Sequence, residues 1–164
     1  MIIQIKDWIF DVDVDSTMAY SAEAAQEHCT CGYCRNFYAA VDTVYPNLRQ
    51  FLSEFGVHIE APDELIPYEP TMMEAGYAVC GKVVHVGYKP IMIDGLSIGI
   101  TKAETLRGKI CCPDPFFALN TGLMELPWVL EEKMEDVVSP ANESDYLDEI
   151  TMKLLKDYPQ EYIQ

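Results

Sequence analysis

The stretch Tyr77-Ala-Val-Cys-Gly-Lys-Val-Val-His-Val-Gly-Tyr-Lys-Pro-Ile-Met-Ile-Asp-Gly-Leu-Ser-Ile-Gly-Ile100 decides the fold. It is rich in Val, Ile and Tyr, whose branched or flat side chains suit a pleated surface, and Gly and Pro punctuate it. Strands are expected over Tyr77–Tyr88 and Ile91–Ile100, with companions over Glu64–Tyr68 and Phe116–Leu126. Strand following strand at such short spacing favours antiparallel pairing, so the reading is a mostly antiparallel sheet of four or five strands.

Upstream of Val57 the texture is different. From Ile5 to Asp15 the residues alternate: Trp8, Phe10, Val12 and Val14 fall on one face, Asp7, Asp11, Asp13 and Asp15 on the other. That period of two marks a half-buried strand. Asp15 or Ser16 can then cap a helix over Thr17–His28. Beyond Cys34, the positions Phe37, Val41, Val44, Leu48, Leu52 and Phe55 keep a helical period that breaks near Tyr45-Pro46. Pro46 fits the first residue of a second helix, where its missing N–H costs nothing, and Gly56 fits a C-terminal cap.

The fold class that follows is α+β, with an N-terminal helical segment of two or three pieces over roughly 17–55. Met134–Ser144 is acidic, contains Pro140 and reads as a surface loop, and a short amphipathic helix over Ser144–Lys156 closes the chain. No repeat, low-complexity stretch or linker divides residues 1–164, so a single domain is expected.

Charge narrows the function classes. The formal net charge is -16, and no cluster of Lys and Arg is present to hold a phosphate backbone, which argues against nucleic acid. An acidic face suits a basic protein partner. No run approaches the roughly 18 uncharged residues of a membrane helix. Met1-Ile-Ile-Gln-Ile-Lys-Asp has neither the basic region nor the apolar stretch of a secretory signal, so a cytoplasmic location is expected. In that reducing compartment the six cysteines are free thiols, metal ligands or redox groups rather than a disulfide framework.

Three of them crowd the segment His28-Cys29-Thr30-Cys31-Gly32-Tyr33-Cys34-Arg35-Asn36-Phe37. Thiolate and imidazole are the ligands zinc prefers, and Cys29, Cys31 and Cys34 would supply three of its four. Adjacent His28 and Cys29 would strain to share one ion, so the fourth ligand is sought remotely. His85 heads those candidates, ahead of Cys80, Cys111, Cys112 and His58. Vicinal Cys111 and Cys112 would diverge on a strand, which leaves no second close ligand pair. The plainer alternative is that the thiols simply pack at a helix junction.

A redox alternative uses Cys31-Gly-Tyr-Cys34, where a helix N-terminus and Arg35 would favour the thiolate. A thioredoxin-like motif follows an apolar strand, however, and the residues before this one read as helix. The run Cys29-Thr-Cys-Gly-Tyr-Cys-Arg-Asn-Phe, with Gly56-Val-His-Ile, the strand from Gly81 to Gly87 and Glu125-Leu-Pro-Trp-Val-Leu, resembles a group of small uncharacterised bacterial proteins that share a C-x-C-x-x-C-R-N-F segment. The resemblance spans much of the chain and implies no activity, cofactor or catalytic residue.

Other motifs yield less. Asp11, Asp13 and Asp15 open like a calcium loop, but Ser16 replaces its glycine and Ala22 its glutamate. His85 lies between valines in a strand, where a histidine is commonly a hydrogen-bonded structural residue. In Glu125-Leu-Pro-Trp-Val-Leu, Pro127 belongs at a sheet edge or bulge, and Trp128 either completes the core or anchors a partner beside Glu131, Glu132, Glu135 and Asp136. The common catalytic motifs do not occur. The expectation is therefore a non-enzymatic interaction protein of immunity or regulatory type, with an acidic partner-binding surface and a cysteine cluster able to take structural zinc. A thiol redox enzyme or sensor using Cys31 and Cys34 is its rival.

Overall fold

The structure is a computed structural model that describes residues 1–26, 29–102, 106 and 110–137. His28 and the helix expected over Ser144–Lys156 lie outside the described residues.

The N-terminal alternating segment forms one arm of a hairpin. Strands β1 (Ile2–Ile5) and β2 (Trp8–Val12) pair antiparallel, with Ile5 opposite Trp8 and Lys6 turning at a φ of 54°. Helix α1 (Val14–Ala24) opens earlier than expected, and its cap is Asp13 rather than Asp15 or Ser16. The Asp13 carboxylate accepts from the Ser16 N–H at 3.0 Å and the Ser16 hydroxyl at 2.8 Å, which holds its carboxyl below the ordinary range. Thr17 fastens the helix to the sheet: its Oγ1 donates to the Asp13 carbonyl and accepts from the Cys80 N–H.

Two further helices follow, α2 (Gly32–Val44) and α3 (Pro46–Glu54), broken at Tyr45 with Pro46 in the first turn of α3 as expected. Gly56 ends the pair at a φ of +83°, and a Cβ there would lie 2.5 Å from the Val14 carbonyl oxygen. Glycine is needed both for the left-handed backbone and for the close passage against α1.

The sheet is larger than the four or five strands expected. Among the described residues eight antiparallel strands form it: β1, β2, β3 (Glu64–Glu69), β4 (Met72–His85), β5 (Ile91–Ile93), β6 (Leu96–Lys102), β7 (Phe116–Thr121) and β8 (Met124–Glu125). Besides β1, the extra strands come from runs that fold back on themselves. Asp94 and Gly95, both at positive φ, split Ile91–Ile100 into a hairpin, and residues 122–123 split Phe116–Leu126.

The main path runs β1-β2-β4-β7-β6-β5. Strand β4 is its spine. Along one edge it pairs with β3 and then β2, and along the other with β8 and then β7.

Alternation along β4 builds two apolar layers. Met73, Ala75, Tyr77 and Val79 join Phe10, Phe117 and Leu119 against Phe37, Val41, Leu48, Leu52 and Phe55 of the helical segment. Phe10 sits at the centre, edge-on to Phe55 at 5.3 Å and stacked on Phe117 at 5.5 Å. Full burial of an aromatic side chain of this kind contributes about 2–3 kcal/mol. Ala78 and Cys80 instead join Ala118, Leu106 and Cys112 in a smaller cluster. Among the described residues, no helix is long and apolar enough to cross a membrane.

Candidate metal centre

The three clustered cysteines stand where α2 begins. Cys31 occupies the N-cap in an extended conformation, and its carbonyl accepts from the Arg35 N–H at 3.0 Å, which winds the first turn and carries Cys34 back towards it. The Sγ atoms of Cys29, Cys31 and Cys34 all lie within 4.8 Å of one another. Cys29 and Cys31 are exposed and Cys34 is half-buried. The Cys31 N–H holds the Cys29 thiol below its usual range, whereas burial, followed by the neighbouring sulfurs, pushes the Cys34 thiol up.

Three convergent sulfurs, on residues of which two are exposed, are close enough to hold a metal ion. Thiolates bound to zinc at about 2.3 Å lie about 3.8 Å apart, so the sulfurs need close by no more than about 1 Å. Among the described residues no other histidine, cysteine or carboxylate joins the trio. The remote ligands considered from sequence are elsewhere: His85 is exposed at the end of β4 opposite Ile9, His58 is exposed, and Cys80 contacts Cys112. Because β4 runs extended for 14 residues, His85 ends up at the far end from the residues that pair with β8. Cys111 and Cys112 do diverge, one exposed and one buried, although neither lies on a strand.

The rest of the C-x-C-x-x-C-R-N-F segment has a role that spacing did not reveal. Asn36 is fully buried, and its side chain grips residues 127–129: Nδ2 donates to the Pro127 carbonyl at 3.1 Å and Oδ1 accepts from the Val129 N–H at 2.8 Å. Arg35, expected to favour a thiolate, is instead paired with Glu132 at 2.6 Å. That pairing holds the Glu132 carboxyl below its ordinary range. Phe37 enters the core. Tyr45, at the other end of α2, adds a second grip, its hydroxyl donating to the Glu125 carbonyl and accepting from the Glu125 N–H, both at 3.0 Å.

Residues 125–132 are thus strapped along α2. Trp128 is half-buried on the strap and its Nε1 donates to the Glu132 carbonyl at 2.8 Å, so Met124 and Leu126, not Trp128, complete the core. The strap leads into α4 (Met134–Val137), a helical turn where a loop was expected, and Val137 touches Gly32 so closely that a Cβ there would sit 2.9 Å from its carbonyl oxygen. The start of α2, beside the sulfurs, is therefore also where the last described residues dock.

In comparison with known proteins, no family model, no curated protein and no solved structure matches the chain.

Proposed function

We propose that the chain is a non-enzymatic interaction protein, acting in the cytoplasm, in which Cys29, Cys31 and Cys34 bind zinc as a structural ion. The observation that carries the reading is the convergence of the three Sγ atoms at the mouth of α2. Zinc suits them because thiolate is its preferred soft ligand and because a structural site fixes backbone without needing redox chemistry. Its task here is local. The ion would pin the segment entering α2, and so hold Arg35 and Asn36 in register with the strap at 127–132.

The partner-binding part of the reading rests on charge. A net charge of -16 draws a basic protein through long-range attraction that salt weakens. Redox chemistry at Cys31 and Cys34 has less support: the element leading towards the motif is α1 rather than an apolar strand, and Arg35 is engaged by Glu132. Elemental analysis of protein purified without chelator tests the metal reading. About one equivalent of zinc is expected, and less than about a tenth overturns it. Pull-downs at low and high salt test the partner, since binders that are not basic, or whose retention ignores salt, would contradict it.

A further inference from the structure

A second pair of thiols lies apart from the candidate metal centre and has no part in it. Cys80 on β4 and Cys112 on the segment before β7 are both buried, and their Sγ atoms are 3.0 Å apart. Two sulfurs at that distance are already in contact, and a disulfide needs only about 1 Å of further approach. The backbone holds them there. Cys80 pairs with Phe116 across the β4–β7 ladder, and the Pro115 carbonyl accepts from the Gly81 N–H at 2.6 Å. Ala78, Leu106 and Ala118 close around the pair, and Tyr20 packs against the same cluster.

One of the two borders a surface cleft. That cleft, of about 650 Å³, is lined by Cys80 together with Asp11, Asp13, Lys82, Asp114 and Pro115. Cys112 is not part of that lining.

We propose that Cys80 and Cys112 are a reversible oxidation site: a peroxide entering the cleft oxidises Cys80, and Cys112 resolves the product to a disulfide that staples β4 to the segment before β7. In the first step the Cys80 thiol gives up its proton and the thiolate attacks the peroxide, taking one oxygen to become a sulfenic acid while the other leaves as hydroxide and takes up that proton to become water. In the second the Cys112 sulfur attacks Cys80 and displaces that oxygen as a second water. Two thiols and one hydrogen peroxide give one disulfide and two waters. The reverse reaction takes two electrons from a dithiol reductant.

The test uses the full chain, purified reduced and then exposed to stoichiometric hydrogen peroxide before thiols are blocked and peptides are mapped by mass. The expected product is a peptide linking Cys80 to Cys112, about 2 Da lighter than its two reduced parts and reopened by dithiothreitol. In Cys112→Ser the expected product is a sulfenic acid at Cys80 that a dimedone probe captures. A map in which both thiols stay free, or in which disulfides form only among Cys29, Cys31 and Cys34, overturns the proposal. If the variant does not fold, the wild-type map alone decides. Zinc content is read separately, so failure here leaves the metal centre standing, and the converse holds as well.

Discussion

The Asn36 side chain accepts the Val129 N–H at 2.8 Å while it donates to the Pro127 carbonyl, so one buried amide spans Trp128 from helix to strap. Both bonds are part-buried, and Pro127 and Val129 are themselves exposed. Replacing Asn36 with alanine removes both, and a typical intramolecular hydrogen bond contributes about 0.5–1.5 kcal/mol. Urea denaturation of Asn36→Ala is expected to show a loss of that size. A loss below about 0.5 kcal/mol would mean that the strap is held without the amide.

The metal centre should be visible by substitution with cobalt. Cobalt(II) in a thiolate site gives strong sulfur-to-metal charge transfer and intense visible bands that oxygen ligands do not. Reconstitution of wild type is expected to produce both, and Cys34→Ser to reduce the charge-transfer band by about a third per metal bound. Chelation should lower the melting temperature, since ligand released from the folded state removes its binding free energy from stability. A melting temperature indifferent to chelator would argue that the ion braces nothing.

Asp94 caps a helix from another part of the chain. It accepts the backbone N–H groups of Asn47 and Leu48 at 2.9 and 3.0 Å, together with the Asn47 side-chain amide, at the open end of α3. Loss of a capping carboxylate typically costs about 0.5–2 kcal/mol. Asp94→Ala is expected to fall in that range by equilibrium unfolding, with Asp94→Asn recovering part of it. Equal losses in both would place the effect in charge alone.

Asp63 supplies a pH dependence whose sign is set by burial. Burial raises its carboxyl above the ordinary value near 3.8, even though the Tyr20 hydroxyl and the Ala78 N–H both donate to it. The folded protein therefore holds this proton to higher pH than the unfolded chain does. Its contribution to stability is complete below the ordinary value and is lost as pH rises through the raised one. Asp63→Asn should remove that part of the slope, since its Oδ1 can still accept the Ala78 N–H while its amide donates to the Tyr20 hydroxyl. Unfolding curves of both proteins from about pH 4 to pH 7 check this, and identical slopes would show that Asp63 is not its source.

Local signals in the sequence carried well where structure depends on neighbours. Pro46 opening α3, Gly56 closing it and the inward face of Phe10 and Val12 follow from backbone restriction and period alone. Turns were harder. Lys6 adopts positive φ where Gly or Asn is usual, and with Asp7 as its one turn residue the β1–β2 hairpin stayed hidden in the alternation. Asp94-Gly95 did carry a turn signature, but the apolar residues on both sides read as one strand. The cysteine trio was legible from spacing. Its setting was not, because the partners of Arg35 and Asn36 lie more than 90 residues away, and the pairing of Cys80 with Cys112 depends on how β4 meets the segment before β7.

Strand β4 also sets a hazard for the chain while it is being made. Its partners on one edge, β2 and β3, leave the ribosome before it, but β7 and β8 leave after it. A nascent chain that has reached β6 presents residues 76–80 with a bare edge, and the residues there include Tyr77, Val79 and Cys80. An apolar unpaired edge is a template for a neighbouring chain, so the interval before Phe116–Glu125 arrives is when self-association competes most strongly with folding. Slowing translation across that interval should raise the aggregated fraction, while leaving the stability of the finished protein unchanged.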